Sequence, residues 1–313
     1  MDSAATPDQQ PSNGQASDGQ ASDGQGSDPQ PSGGRPSTAA GVAQIQLAVL
    51  TALTGGVLAA GSYLGRVPLL VAIGLVQLLL ALSWLFGTSV PGRRGGLVLA
   101  VLAAAGADAT VLHWPDSGYS PVLGVLGMAV PLLFAHQLSR GVVRTRVLES
   151  LADITVLLVA LVALTGLLVL RAQGNGDILT PAVLGAITAG LVAAHFTDAV
   201  YPAPRFDPAV DRGLPAVVVG VLVGAMVGLL SLRRVIDFMG GRGAFLGAAI
   251  AAVACLLSIG AAFSGVHSGL AAPGTAGPVS RTVRLRPLAA VLMTVALSTP
   301  AAYVLVNALS STR

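Results

Sequence analysis

An all-α integral membrane protein, with about nine transmembrane helices after a disordered N-terminal tail, is the fold class this sequence predicts. Three observations carry the prediction. From about Gly41 onward, apolar runs long enough to cross a bilayer follow one another with only short, arginine-marked gaps. Of the 313 residues, 53% are hydrophobic and only 10% charged, too little charge for the surface of a soluble domain. Residues 1–40, by contrast, hold almost no large apolar side chains. Lipid offers the backbone no hydrogen bonds, so every N–H and C=O inside it must be satisfied within the segment, and long apolar runs read as helices. They specify architecture and leave chemistry open.

The first unit, 1–40, is a Gly/Gln/Ser/Asp-rich tail assigned to the cytoplasm. It repeats Gly14-Gln15-Ala16-Ser17-Asp18 at Gly19 to Asp23 and, with one change, at Gly24-Gln25-Gly26-Ser27-Asp28. Such a segment buries too little surface to offset its chain entropy, and disorder is expected. Its basic complement is Arg35 alone, with no basic start leading into an apolar core, which is unlike a signal peptide. A soluble spacer and a partner-binding tail are both compatible with it.

The second unit, 41–313, is the polytopic domain. Its apolar runs predict spans near 45–64, 67–87, 97–114, 121–139, 151–170, 181–201, 214–232, 244–264 and 288–308. With a cytoplasmic N-terminus, the outer segments would hold Arg66, Arg171, Arg233, Arg234, Arg242 and Arg313, and the inner ones the other eleven arginines. The positive-inside rule therefore favours N-in, C-out in a multi-pass plasma-membrane protein. The Arg233–Arg242 loop is the exception, and it admits a miscounted or re-entrant segment.

Ionisable side chains in spans are costly, so each needs a reason. Under this topology His136, Asp153, His195 and Asp198 all lie toward the cytoplasmic ends of their helices. His195 and Asp198, spaced i and i+3, share a helical face, and Asp153 gains from the positive end of its helix. Interfacial anchoring accounts for all of them; the functional alternative is a polar cavity built by Asp153, His195 and Asp198. Asp108 and His113 fall toward the opposite end of helix three and cannot join that group. Gly220, Gly224 and Gly228 form a small-residue ridge on helix seven, suited to close helix packing within the bundle or at an interface.

All 17 basic residues are Arg, a bias associated with high-GC bacteria and, as a consequence, one that removes lysine from any mechanism. The formal net charge of +3 gives no reason to invoke nucleic acid. Cys255 is the single cysteine, which rules out an intrachain disulfide or a multi-cysteine metal site and reads as packing. No Walker loop, His-Glu-x-x-His or Gly-x-Ser-x-Gly motif occurs. Glu149 is the single glutamate; Arg140, Arg144 and Arg146 beside it read as positive-inside anchors, and next as a site for an anionic lipid headgroup.

Over most of 45–265 the layout resembles the phosphatidate cytidylyltransferases in order and spacing. The carrying residues are Thr197-Asp198-Ala199-Val200-Tyr201, then Arg205-Phe206-Asp207-Pro208 through Asp211-Arg212-Gly213, then the glycine ridge. The resemblance implies that Asp198 stands where that family places a metal-binding aspartate. The family's paired lysines are absent, and its later His-Gly-Gly…Asp-Arg…Asp signature is reduced to His267-Ser268-Gly269. Nucleotidyl transfer needs metal carboxylates and cations around phosphate, so the resemblance implies a catalytically retired relative.

The expectation is accordingly a non-enzymatic membrane scaffold or organiser in bacterial envelope assembly, most sharply in cell division (septation) of an actinobacterium. It needs no cofactor or metal; its partners would be the lipid bilayer and cytoplasmic or membrane division proteins. The alternative is a phospholipid-metabolising or lipid-binding protein. A secondary transporter is the third reading, although the spans show neither an acidic pair nor a Gly-Pro break.

Overall fold

A computed structural model describes residues 38–87, 93–139, 147–207, 210–233, 235, 238, 241–267 and 281–311. The 1–40 tail, up to residue 37, and the Arg140, Arg144 and Arg146 group lie outside the described residues. Among those described, nine helices are long and apolar enough to cross a membrane.

The first pair, α1 (Thr38–Leu64) and α2 (Arg66–Gly87), turns on Gly65, whose φ of +124° is open to glycine at little cost. Next come α3 (Arg93–His113), a 3₁₀ turn (Pro115–Ser117) and α4 (Ser120–Ser139). The fifth span is interrupted: α5 (Val147–Leu164) and α6 (Gly166–Ala172) meet at Thr165, where the sequence reads as one uninterrupted helix. Then follow α7 (Gly176–Val200), a short antiparallel hairpin of β1 (Arg205–Asp207) and β2 (Val210–Gly213), α8 (Leu214–Leu232), α9 (Arg242–His267) and α10 (Arg281–Ser310). The hairpin is an addition to the expected all-α plan. Residues 233–241 join two full spans and are too few for another crossing.

Helix packing divides the bundle. Helices α1, α7, α8 and α9 pack together, α2, α3, α4 and α5 pack together, and α10 touches both sets through α9, α1, α2 and α5. The α5–α6 span is central, with 78% of its most apolar stretch buried, whereas α4 and α8 bury 22% and face outward. Lipid tails are as apolar as leucine, so helix association here draws on close packing rather than on escape from water. The ridge shows how. Gly220, Gly224 and Gly228 are buried while Leu222, Met226 and Leu230 on the same helix are exposed. A Cβ at Gly220 would lie 2.8 Å from the Gly190 carbonyl of α7, and one at Gly224 would lie 2.8 Å from the Gly247 carbonyl of α9. Packing within the bundle is therefore what the ridge serves.

Hydroxyls inside the spans are mostly satisfied locally. Thr51, Thr294 and Ser298 donate to the carbonyls of Leu47, Ala290 and Thr294, four residues back, at 2.7–2.8 Å. Each thereby crosses lipid without an orphan donor.

Candidate functional site

Two buried polar clusters stand out, on opposite halves of the bundle. The first is centred on Arg212 of β2, only 6% exposed. The hairpin follows α7 directly and leads into α8, which carries the guanidinium back beneath the end of α7. One of its nitrogens, Nη1, donates to Asp198 Oδ2 at 3.0 Å and lies 2.9 Å from His195 Nδ1. The other, Nη2, donates to Ser258 Oγ of α9 at 2.7 Å. The second carboxylate oxygen of Asp198 accepts the Gly213 N–H at 2.9 Å. Gln44 of α1 reaches His195 Nδ1 at 3.1 Å.

Arg212 can only donate and Gln44 Oε1 can only accept, so His195 Nδ1 faces one group that calls for its lone pair and one that calls for a hydrogen, and the ring's tautomer decides which of the two contacts is a hydrogen bond. Positive Arg212 is balanced by negative Asp198, and neutral groups complete the shell. The arrangement joins α1, α7, the hairpin and α9 at one end of the bundle. Beside it a cavity of about 80 Å³ is lined by His195, Arg212, Ser258, Thr51, Thr294 and apolar neighbours.

Of the three residues expected to share a cavity, His195 and Asp198 are brought together and Asp153 is not part of this network. Asp153 is half-buried on α5, whose principal neighbours are α2, α3, α4 and α10 rather than α7. His136 likewise packs onto Gly95 of α3. Sequence reasoning overlooked the centre of the cluster: Arg212 reads as one more loop arginine. The signal for it was the His195 and Asp198 pair itself, because two buried polar groups on one face call for a partner cation.

The second cluster surrounds Asp108 of α3, 7% exposed. A carboxylate this deep costs about 2.5–3.5 kcal/mol at a helix centre on insertion scales and demands partners. Thr165 Oγ1, at the interruption between α5 and α6, donates to Asp108 Oδ1 at 2.7 Å. Gln77 Nε2 of α2 lies 3.4 Å from the same oxygen, 3.3 Å from Thr165 Oγ1 and 3.1 Å from the Leu161 carbonyl. The Ala163 carbonyl accepts from Tyr119 Oη at 3.3 Å and from Thr299 Oγ1. Side chains from other helices thus hold two carbonyls in the last turn of α5. As expected, Asp108 stands apart from the Arg212 cluster.

Known proteins add no name to this geometry: the chain matches no protein-family model and no curated protein. The cytidylyltransferase likeness therefore rests on its quoted residues, and the structure bears on their chemistry. Each Asp198 oxygen accepts a hydrogen bond, one from Arg212 and one from the Gly213 N–H, so in this structure the carboxylate is the partner of a guanidinium. Among the described residues no group of three or more His, Cys, Asp or Glu side chains is placed to hold a metal ion.

Proposed function

We propose that the chain is a non-enzymatic scaffold or organiser in bacterial envelope assembly, acting in cell division, and that it sits in the plasma membrane with its N-terminus cytoplasmic. The observation that carries this reading is the closed Arg212–Asp198 pair. It commits the Asp198 carboxylate to an ion pair that, with Ser258, ties the hairpin to α7 and α9, a structural use of buried polar groups that suits a scaffold. The hairpin end also has the surface of a docking element: Tyr201, Phe206 and Leu214 are 68%, 47% and 51% exposed around Arg205 and Asp207. Aromatic and charged groups side by side suit either a headgroup layer or a partner protein. The arginine distribution supports the orientation.

The test is localisation of a fluorescent fusion at the N-terminal tail in the native host, beside a deletion strain. Recruitment to septa with misplaced cross-walls on deletion is the expected result. Uniform membrane signal, together with purified protein that makes CDP-lipid from CTP and phosphatidate and loses that activity in Asp198→Asn, would replace this reading with the lipid enzyme.

A further inference from the structure

The Asp108 cluster has a composition that the scaffold reading does not use. The amide nitrogen of Gln77 carries two hydrogens, yet it faces three oxygens, those of Leu161, Thr165 and Asp108, at 3.1–3.4 Å. These oxygens come from α3 and the α5–α6 span, Gln77 faces them from α2, and the set contains a single carboxylate. Among the described residues no cation pairs with Asp108; the nearest arginine along α2, Arg66, donates instead to the Val111 carbonyl at 2.8 Å.

We infer that Asp108, Thr165, Gln77 and the Leu161 carbonyl form an intramembrane binding site for a sodium ion. The charge balance selects a monovalent ion, because one carboxylate neutralises one positive charge, and a divalent ion would leave an excess charge in a low-dielectric interior. The donor set selects a hard cation, since carboxylate, hydroxyl, amide and backbone oxygens all suit alkali and alkaline-earth ions and not soft metals. Gln77 supplies the exchange. With the ion absent its NH₂ donates to these oxygens; a half-turn of the amide exchanges its two ends, so that Oε1 joins the other three oxygens as a ligand while Thr165 still donates its hydroxyl hydrogen to Asp108. Irregular helix geometry with side-chain-held carbonyls beside a buried carboxylate is how membrane proteins place backbone oxygens on ions.

A polar cavity also lies beside α6. At the end of the bundle where α3 and α10 finish, it measures about 450 Å³ and is lined by Asp116, Gln173, Asn175, Tyr303, Asn307 and neighbouring residues. Tyr303 packs edge-on against Tyr119, with ring centroids 4.7 Å apart. The Tyr119 hydroxyl reaches Ala163 over Gly166, where any Cβ would collide with it.

The experiment is thermal unfolding of the purified full-length protein in detergent, at fixed pH and ionic strength, with sodium chloride exchanged for choline or potassium chloride. The midpoint is expected to rise with sodium and then grow with the logarithm of its concentration, as for any ligand of the folded state. Asp108→Asn, which keeps the side-chain shape and removes the charge, abolishes the rise. Thr165→Val moves the sodium dependence to roughly tenfold higher concentration, the effect of one lost ligand. A midpoint indifferent to sodium overturns the site, as does an equal response to choline, a response that persists in Asp108→Asn, or, should that variant not fold, an unchanged response in Thr165→Val. None of these outcomes depends on septal localisation, so the site and the scaffold reading stand or fall separately.

Discussion

Arg212 Nη1 lies 3.0 Å from Asp198 Oδ2, with side chains only 7% and 1% exposed, and this one pair converts two loop-flanking residues into the anchor of the hairpin end. A buried ion pair is worth little against an apolar replacement of both members, yet losing one member strands a charge. Its value here is positional: Asp198 also holds the Gly213 N–H, so the start of α8 is set by the same carboxylate.

Arg212→Leu should therefore destabilise the fold strongly, by about 3–5 kcal/mol, because Asp198 is left buried and unpaired. Arg212→Leu combined with Asp198→Leu should recover a large part of the loss. Unfolding midpoints of the four forms in detergent check this; strictly additive losses would show that the pair is not coupled.

Gly224→Val should separate α8 from α9. The added carbons meet Ala251 and the Gly247 backbone, and overpacking of that kind costs about 1–3 kcal/mol. Leu222→Val, on the exposed face of the same helix, should be nearly neutral. Comparing the two variants by yield of monodisperse protein separates packing within the bundle from propensity.

Gly166→Ala should displace the Tyr119 hydroxyl, which occupies the space a Cβ would take. The Ala163 carbonyl keeps Thr299 as donor, so the fold should survive with modest loss, about 1 kcal/mol for the hydrogen bond. Tyrosine fluorescence is the readout, since the edge-on Tyr119–Tyr303 pair is disturbed while the remainder of the bundle is not.

An odd number of spans places the two ends of the domain on opposite sides of the membrane. Nine spans predict that reporters fused at the tail and after Arg313 report opposite compartments. Equal activity of an externally active reporter at both ends would remove or add a crossing.

The apolar runs predicted all nine spans, with most ends close and the starts of α1, α7 and α10 placed several residues late, since the cost of an unsatisfied backbone in lipid is written into composition and length. The misses at their edges are informative. Helix α7 starts at Gly176 rather than at Pro181, and α10 at Arg281 rather than near 288, because a proline close to a helix start removes only a bond or two and the chain can continue through it. The i, i+3 spacing of His195 and Asp198 and the four-residue spacing of the glycines were also legible, being properties of one helix. What the sequence could not reveal were the partners across elements: Arg212 for Asp198, Ser258 for Arg212, Gln77 and Thr165 for Asp108, and the separation of Asp153 from both. Those pairings span 14 to 57 residues of chain, and α5 could have presented Asp153 to any side of the bundle. Hydropathy decides that a segment enters the membrane; which helices become neighbours depends on side-chain shape and on satisfying each buried polar atom, and only the assembled bundle resolves that.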